Sequence, residues 1–254
     1  MRRITIITIA AMSLLSIFGC CGRKSSTPAH ESDTVAARDG GDIVITFIKH
    51  ASLLLRLPDG SHVYVDPVDE YADYGSLPKA DAILITHSHY DHFDMTAIGK
   101  IATPSTKIVC DRTTSEAFGH DCITMTPGMT SHPLEGLDVE AVPAYNISDG
   151  RLQFHPRERE DCGYVLTVNG TRIYIAGDTE NNDDIKLLRN IDIAFLPVNQ
   201  PYTMTVEQAV DAVKAIRPTV FYPYHYGGTE HTTDLDLLKR ELEGVTEVRI
   251  RPLE

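Results

Sequence analysis

The sequence predicts one α+β domain in which mixed β-sheets lie beneath helices on the outside. Three observations lead to this prediction. Apolar strand patterns crowd the first half of the chain and alternate with helical patterns later, no segment is repeated, and no second linker interrupts the 254 residues. A chain of this length can bury a large core. We therefore expect a leader over residues 1–19, a flexible tether over residues 20–42 and one folded domain over residues 43–254.

The strands are predicted from short apolar or alternating runs between turn residues. Pro58-Asp59-Gly60 is typical of a hairpin turn, and Asn169-Gly170 of a two-residue hairpin loop. Strands are expected over residues 43–48, 52–57, 62–65, 82–85, 107–110, 123–125, 137–142, 164–168, 172–175, 191–196, 220–225 and 245–250.

The helices are predicted from capping residues and from apolar positions three or four residues apart. Asp94 is a candidate N-cap for the helix that follows it. The clearest amphipathic pattern begins at Val206 and ends at Ile216. Helices are expected over residues 95–101, 113–118, 185–188, 206–216 and 235–242.

The formal net charge of −13 restricts the partners of this protein. Nucleic-acid phosphates and anionic lipid headgroups both bind to basic surfaces, so an acidic chain is a poor match for them. We therefore expect a small-molecule substrate and no nucleic-acid partner. Membrane contact is expected only through a lipid anchor, and the oligomeric state is left open.

The first 19 residues have the layout of a secretory signal peptide. Arg2 and Arg3 form a charged start, and the apolar run over residues 4–18 is too short for a typical membrane span. Residues 17–20, Ile-Phe-Gly-Cys, resemble a bacterial lipobox, which implies cleavage before Cys20 and lipid attachment to its thiol. We expect an exported, lipid-anchored protein of the bacterial cell envelope, with soluble secretion as the alternative.

Three further cysteines, Cys110, Cys122 and Cys162, lie in the expected domain. None has metal-site spacing to another cysteine, so we expect buried structural thiols. A disulfide between Cys110 and Cys122 stays open, because sequence separation does not determine the distance between two side chains in space.

Four potential metal ligands fall within six residues directly after an apolar strand. They are His87, His89, Asp91 and His92, and the strand covers residues 82–85. Alternate residues of a strand point to the same side, so His87 and His89 are expected to project together. Imidazole and carboxylate groups at this density favour a divalent metal, above all zinc. A polar surface loop is the alternative, but neither turn formation nor solubility requires this pattern.

Two later strands also end in a potential ligand. Asp178 follows the run over residues 173–176 and Gly177, whose conformational freedom permits a sharp turn. His225 ends the run that begins at Val220. Taken alone, Asp178 is more typical of a turn or cap, and His225 of a structural histidine. Together with the first motif, both are predicted to bind metal.

The order of these motifs resembles the metallo-β-lactamase-fold hydrolases. The resemblance implies a four-layer αββα sandwich with a metal site along one edge of its two sheets. Other segments are similar to the ascorbate-6-phosphate lactonase-like and N-acylphosphatidylethanolamine phospholipase D-like branch. They are His50-Ala51-Ser52, Asp66-Pro67 and residues 197–204 and 222–225. The likeness covers residues 43–250.

The resemblance also implies a role for each ligand. His87 and His89 would hold a first metal, Asp91 and His92 a second, with Asp178 bridging the two and His225 completing the second site. The family's remaining first-site histidine is missing, because Tyr145 and Asn146 stand where it is expected. Three alternatives follow. His155 folds back as the ligand, Asn146 binds metal through its amide oxygen or contacts substrate, or the place holds no metal.

These residues together predict a metal-dependent hydrolase that uses a metal-bound hydroxide on an ester, lactone or phosphodiester. A divalent ion lowers the pKa of bound water to about 7. Asp91 would orient that water and take its proton, which makes Asp91 the candidate catalytic residue. Asp66 is expected to hold the second ring nitrogen of a ligand histidine, or else to be a plain turn residue. The expected cofactor is zinc, as one or two ions, and manganese or iron also suits the ligands.

Two other functions stay open. The missing histidine motivates an envelope protein that binds metal or substrate and has lost turnover, and an envelope scaffold is the second. His50 either lines the cleft or closes a strand. Arg157 and Arg159 either clamp an anionic substrate group or belong to a solvated charged loop. Five histidines are expected not to bind metal: His30, His62, His120, His132 and His231.

Overall fold

The computed structural model describes residues 30–227 and 231–254. The predicted signal peptide, the lipobox and residues 20–29 of the predicted tether lie outside the described residues, so these stay predictions. Within the described ranges, no helix is both long enough and apolar enough to cross a bilayer.

The first half of the domain forms one seven-stranded sheet in which neighbouring strands are also consecutive in the chain. Its strands pair antiparallel from β1 to β4 and parallel from β4 to β7. They are β1 (Ser32–Ala36), β2 (Asp42–Lys49), β3 (Ser52–Arg56), β4 (His62–Val65), β5 (Ala82–Ile85), β6 (Lys107–Asp111) and β7 (Ile123–Met125).

The second half repeats this plan in a second seven-stranded sheet. Its strands pair antiparallel from β8 to β11 and parallel from β11 to β14. They are β8 (Thr130–Leu134), β9 (Leu137–Pro143), β10 (Cys162–Val168), β11 (Thr171–Ile175), β12 (Ile193–Pro197), β13 (Val220–Tyr224) and β14 (Glu247–Val248).

In the described part of the chain, five α-helices cover the outer faces of the two sheets. They are α1 (Met95–Ile101), α2 (Arg112–Phe118), α3 (Asp183–Lys186), α4 (Val206–Ile216) and α5 (Leu235–Glu241). The side chain of Asp94 caps α1 as predicted, and α4 begins with a capping box between Thr205 and Gln208. Apolar residues of α1 and α2 pack on the first sheet, and those of α3, α4 and α5 pack on the second.

The largest apolar core lies between the two sheets and takes residues from both. At its centre the rings of Phe195 and Tyr222 are stacked with centroids 4.8 Å apart, and Phe47 of the first sheet lies 5.2 Å from Tyr222. With the helices outside, the layers follow the order helix, sheet, sheet, helix. The predicted four-layer αββα sandwich is confirmed.

The prediction of a flexible tether up to residue 42 is wrong for its described part. Ser32–Ala36 forms β1 and pairs with β2, so the folded domain begins before residue 43. The strand is anchored by Asp33, which accepts hydrogen bonds from Tyr222 at 2.6 Å and from Arg251 at 2.8 Å. This short polar segment forms a strand because distant partners satisfy its side chain at Asp33. The strand β8 was also not predicted, and it pairs with the neighbouring β9.

Both sheets direct their parallel strands towards the candidate ligands. His87 follows the end of β5, Asp178 follows β11 and His225 follows β13. Parallel strands place their carboxyl ends at the same edge of a sheet, so one edge of the sandwich collects these residues. Two hydrogen bonds join the sheets there. The Tyr164 hydroxyl donates to the carbonyl of Ile85 at 2.8 Å, and the backbone N–H of Cys162 donates to the carbonyl of Thr86 at 3.1 Å.

Gly163 tests how closely the backbone is packed at this edge. A Cβ added at Gly163 would lie 2.5 Å from the carbonyl oxygen of Ala176, just before Asp178. We expect Gly163→Ala to lower the free energy of unfolding by about 1–3 kcal/mol, because backbone must move to admit the methyl group. Chemical denaturation of the purified variant measures this loss.

Gly99→Ala supplies the matched control for the same substitution. Gly99 lies inside α1, and an added Cβ there meets nothing within 4 Å. We expect this variant to raise the free energy of unfolding by up to about 1 kcal/mol, because alanine favours a helix over glycine. If Gly163→Ala were as stable as the wild-type protein, the close approach at residue 176 would be contradicted.

Candidate metal centre

The structure brings eight histidine and aspartate side chains together at this edge. They form three overlapping groups, and within each group the potential ligand atoms lie within 4.8 Å of one another. The groups are His50, Asp91, His92 and His225; His87, His89 and His155; and His87, His92 and Asp178. All six residues predicted as ligands therefore converge, and His155 and His50 join them.

One group, which consists of His87, His89 and His155, forms around the histidines that follow β5. The Nε2 atom of His87 lies 3.0 Å from Nδ1 of His89, and the ring centroids of His89 and His155 are 4.9 Å apart. His155 reaches them because the loop after β9 folds back. The backbone N–H of Asn146 donates to the backbone carbonyl of His155 at 2.8 Å. The structure thus places His155 where the sequence left a position open.

Asn146 is engaged elsewhere. Its Nδ2 donates to the carbonyl of Tyr202 at 2.7 Å and to that of Arg151 at 3.1 Å, while its buried Oδ1 has no hydrogen-bond partner. The amide therefore ties the loop after β9 to the loop after β12. Of the two candidates for the open position, His155 is the one that belongs to a group of possible ligands.

Another group, which consists of His50, Asp91, His92 and His225, lies between the loop after β5 and the end of β13. The Nε2 atoms of His92 and His225 are 3.0 Å apart, and Nε2 of His225 is 3.6 Å from Oδ2 of Asp91. His50 lies 3.3 Å from the same carboxylate oxygen, with its ring centroid 3.7 Å from that of His225. His50 therefore lines the site and does not merely close β2.

Asp178 stands between the two groups. One carboxylate oxygen is 3.3 Å from Nε2 of His92 and 3.3 Å from Nε2 of His225, and the other is 3.3 Å from Nε2 of His155. Only 4% of the residue is exposed, and despite these short distances Oδ1 has no hydrogen bond of good geometry to any described residue. Its two oxygens thus face the two groups separately, which is the placement that a bridging carboxylate requires.

Asp66 orients the histidines from beneath. Its fully buried carboxylate accepts hydrogen bonds from the amide of Thr86 at 2.8 Å, from the Thr86 hydroxyl at 2.7 Å and from Nδ1 of His92 at 2.8 Å. The Thr86 hydroxyl also lies 3.0 Å from Nδ1 of His87. With Nδ1 donating in both histidines, both Nε2 atoms carry lone pairs towards the site.

Asn199 is a neighbour of the site that the sequence did not indicate. It is buried, its Nδ2 lies 3.3 Å from Nδ1 of His225, and its Oδ1 has no hydrogen-bond partner among the residues that the structure describes. Half a turn of the amide about its terminal bond presents that oxygen to Nδ1–H of His225, and this would satisfy both groups. No sequence signal marks this asparagine, because its relation to His225 depends on two neighbouring strands.

Burial and charge divide the protonation states of these groups. Burial lowers the pKa of His87 well below its usual value and lowers that of His89 to about 4, so both are neutral and able to bind a cation. For Asp178, burial acts to raise the pKa, but His225 and His92 outweigh it and hold the pKa well below its usual range. For His92, burial acts to lower the pKa, but the charges of Asp178 and Asp66 outweigh it and raise the pKa well above its usual value.

These contacts fit a divalent metal. A cation bound between Nε2 of His92 and Nε2 of His225, which lie 3.0 Å apart, would take the place of the proton that the raised pKa of His92 favours. The carboxylate of Asp178 adds a buried negative charge with an unpartnered oxygen. A cation between these atoms would satisfy both, and nitrogen and oxygen ligands in this mixture suit zinc, manganese and iron.

The groups open into a cleft of about 1550 Å³. The side chain of Asp91 is 21% exposed, so this carboxylate can be reached from the cleft while His92 beneath it is fully buried. The histidines predicted not to bind metal stay outside the three groups among the described residues.

For Arg157 and Arg159 the sequence left open an anion clamp or a charged loop, and both side chains are paired with acids. Arg159 pairs with Asp161 at 3.0 Å, and Arg157 lies 3.4 Å from Asp184. Cys110 and Cys162 are buried as expected, whereas Cys122 is half-buried, and all three are free thiols.

Comparisons with known proteins place the chain in a family. Residues 44–225 match the family described as a β-lactamase superfamily domain. A UPF0173 metal-dependent hydrolase of Koribacter versatilis is 32% identical over 199 residues, which cover 72% of this chain and 84% of that protein. A UPF0173 metal-dependent hydrolase of Thermus thermophilus is 32% identical over 195 residues, with coverage of 72% and 84%.

Solved structures agree with this assignment. A crystal structure of a protein from Parabacteroides distasonis, described as a metal-dependent hydrolase, has 46% identity and a TM-score of 0.83, and covers 89% of this chain and 100% of that one. A metallo hydrolase from Ignicoccus hospitalis, with 24% identity, a TM-score of 0.68 and coverage of 84% and 96%, shows the fold alone. The finer lactonase-like and phospholipase D-like branch stays a prediction. This chain belongs to the metallo-β-lactamase superfamily and is a metal-dependent hydrolase.

Proposed function

We propose that this hydrolase holds two metal ions and cleaves an ester, lactone or phosphodiester bond. The observation that carries the proposal is the placement of Asp178, whose two buried oxygens face two separate groups of histidines. Zinc is the metal that this donor set suits first, with manganese and iron as the other candidates.

Seven residues would hold the ions. His87, His89 and His155 would take one, Asp91, His92 and His225 the other, and Asp178 would lie between them. When bound, a divalent metal lowers the pKa of water so that a nucleophile exists at neutral pH.

The chain's own groups would then control the proton and the orientation of the water. Asp91 is the exposed carboxylate of the site, and at neutral pH it is ionised because His225 and His50 outweigh the effect of burial on its pKa. It can therefore orient a water and accept its proton. His50, 3.3 Å from Oδ2 of Asp91, limits the rotation of that carboxylate.

The alternative of a binding protein without turnover is supported less well. Its motive was the absence of a histidine after β9, and His155 stands beside His87 and His89 instead. A complete set of ligands and an accessible Asp91 together favour turnover.

Metal content distinguishes the candidates for the open position. We expect elemental analysis of the wild-type protein to give about two metal ions per chain, and His155→Ala to give about one, because a site that loses one of its three histidines binds metal more weakly. Asn146→Ala is the matched control and should keep both ions. A loss of metal in Asn146→Ala together with full occupancy in His155→Ala would contradict this ligand assignment.

Asp91→Asn tests the proposed proton acceptor. An amide cannot take a proton from water, so we expect turnover of a responsive ester, lactone or phosphodiester to fall by about 10²–10⁴-fold. Metal should be retained, because the amide oxygen can still contact the ion and His92, His225 and Asp178 remain. Steady-state kinetics with parallel elemental analysis measure both quantities. Asp121→Asn, at an exposed position away from the site, should leave the rate unchanged. Full activity in Asp91→Asn would overturn the role given to this carboxylate.

We further propose that the protein works in the bacterial cell envelope, anchored by lipid. The proposal is supported by the charged start at Arg2 and Arg3, the apolar run after it and the Gly19-Cys20 pair. Labelling of expressing cells with a radioactive fatty acid should mark the wild-type chain and leave Cys20→Ser unlabelled, with Cys21→Ser as the control. Equal labelling of Cys20→Ser and wild type would refute attachment at Cys20.

A further inference from the structure

The cleft above the metal centre collects the exposed aromatic surface of the protein. Among the Phe and Tyr residues of the described ranges, only Tyr90 at 86% and Tyr202 at 41% are exposed, and both line this cleft. Tyr71 and Phe154 line it as well and are half-buried. Exposed aromatic rings cost hydration free energy, so their restriction to one concave surface indicates a function in binding.

Two of these rings are attached directly to the candidate metal ligands. Tyr90 lies between His89 and Asp91 in the chain, and Phe154 immediately precedes His155. Neighbouring Cα atoms are about 3.8 Å apart, so both rings start within a few ångströms of the reacting groups. A ring substituent on the bond being cleaved would therefore lie within reach of aromatic side chains from both loops.

The Phe154 and Tyr202 part of the cleft is held in place before any ligand arrives. Their ring centroids are 4.9 Å apart in an edge-to-face arrangement of 74°. The side-chain Nδ2 of Asn146 donates to the carbonyl of Tyr202 at 2.7 Å, and its backbone N–H donates to the carbonyl of His155. Asn146, which occupies the position of the family's histidine, thus helps to hold Phe154 and Tyr202 in place beside the site.

Apart from the proposed metal ions, the side chains that line the cleft offer little positive charge to an anionic substrate. Lys49 is the only Lys or Arg among its described lining residues, and its Nζ lies 5.7 Å from the ring centroid of Tyr71, where it interacts with the π-face. The carboxylates of Glu70 and Glu254 line the same cleft. Among the lining side chains outside the metal centre, these two acids outnumber the single lysine.

The nearby guanidinium groups do not change this balance. Arg157 and Arg159 are paired with Asp184 and Asp161, and neither lines the cleft. Phosphodiester recognition usually relies on such groups, because their paired N–H donors match phosphate oxygens.

We propose that the substrate is an uncharged ester or lactone that carries a flat aromatic group, and not a phosphodiester. The proposal rests on the hydrolase function proposed above. The aromatic group would pack against Tyr90, Phe154 and Tyr202, next to the reacting bond. In the reaction, the oxygen of one water bonds to the acyl carbon, the bond from that carbon to the alcohol oxygen breaks, and the alcohol oxygen takes a proton.

Kinetics with three probes test the substrate class on the full-length, metal-loaded protein. Phenyl acetate should be hydrolysed with a lower KM than ethyl acetate, and diphenyl phosphate should be the poorest of the three. Tyr90→Ala and Phe154→Ala should each raise the KM for phenyl acetate by about 3- to 10-fold, the range expected for one aromatic contact. Neither should change the KM for ethyl acetate by that amount.

Leu187→Ala is the control, since Leu187 is 69% exposed and does not line the cleft. It should leave the KM for phenyl acetate unchanged. Faster cleavage of diphenyl phosphate than of phenyl acetate, or an unchanged KM for phenyl acetate in both aromatic variants, would overturn the proposal.

A binding measurement separates failure of this proposal from failure of the proposed reaction. Acetanilide is a neutral aryl amide of the same shape, and its binding is detected from its own aromatic proton signals by NMR. Binding to wild type that weakens in Tyr90→Ala supports the aromatic site even if no probe is hydrolysed, in which case only the reaction fails. Absence of acetanilide binding, or equal binding to Tyr90→Ala, would refute the aromatic site even if esters are cleaved.

Discussion

The buried carboxylate of Asp178 is the constraint on which the rest of the site depends. Only 4% of this residue is exposed, and burying an unpaired charge is costly. The fold compensates by directing His92, His155 and His225 towards it, each at 3.3 Å. These histidines come from three different loops, so the charge at Asp178 fixes how the two sheets must meet.

The surrounding packing maintains this arrangement. Gly177 adopts a left-handed conformation with φ 64°, and a Cβ added there would lie 3.0 Å from the Cβ of Thr86. The turn that carries Asp178 therefore rests on the residue before His87. Asp66 accepts a hydrogen bond from the amide of the same Thr86 and orients His92. The buried carboxylate of Asp66 therefore aligns the histidines after β5, while that of Asp178 faces histidines from three loops.

The sequence predicted the parts of the site that local rules determine. His87, His89, Asp178 and His225 follow apolar strands directly, and parallel strands bring their ends to one edge. His155 was only one of three alternatives, because a long return of the loop after β9 brings it to the site and the Asn146 amide closes this return. β1 was missed for a similar reason, since a polar segment gains its order from distant Tyr222 and Arg251.

The central claim is that two cations lie on either side of Asp178, and anomalous X-ray scattering from crystals of the metal-loaded protein tests it most directly. The account predicts two anomalous peaks, one among His87, His89 and His155 and one among Asp91, His92 and His225. Each should lie about 2 Å from a different oxygen of Asp178. A single peak, or two peaks that both lie beyond bonding distance of Asp178, would contradict it.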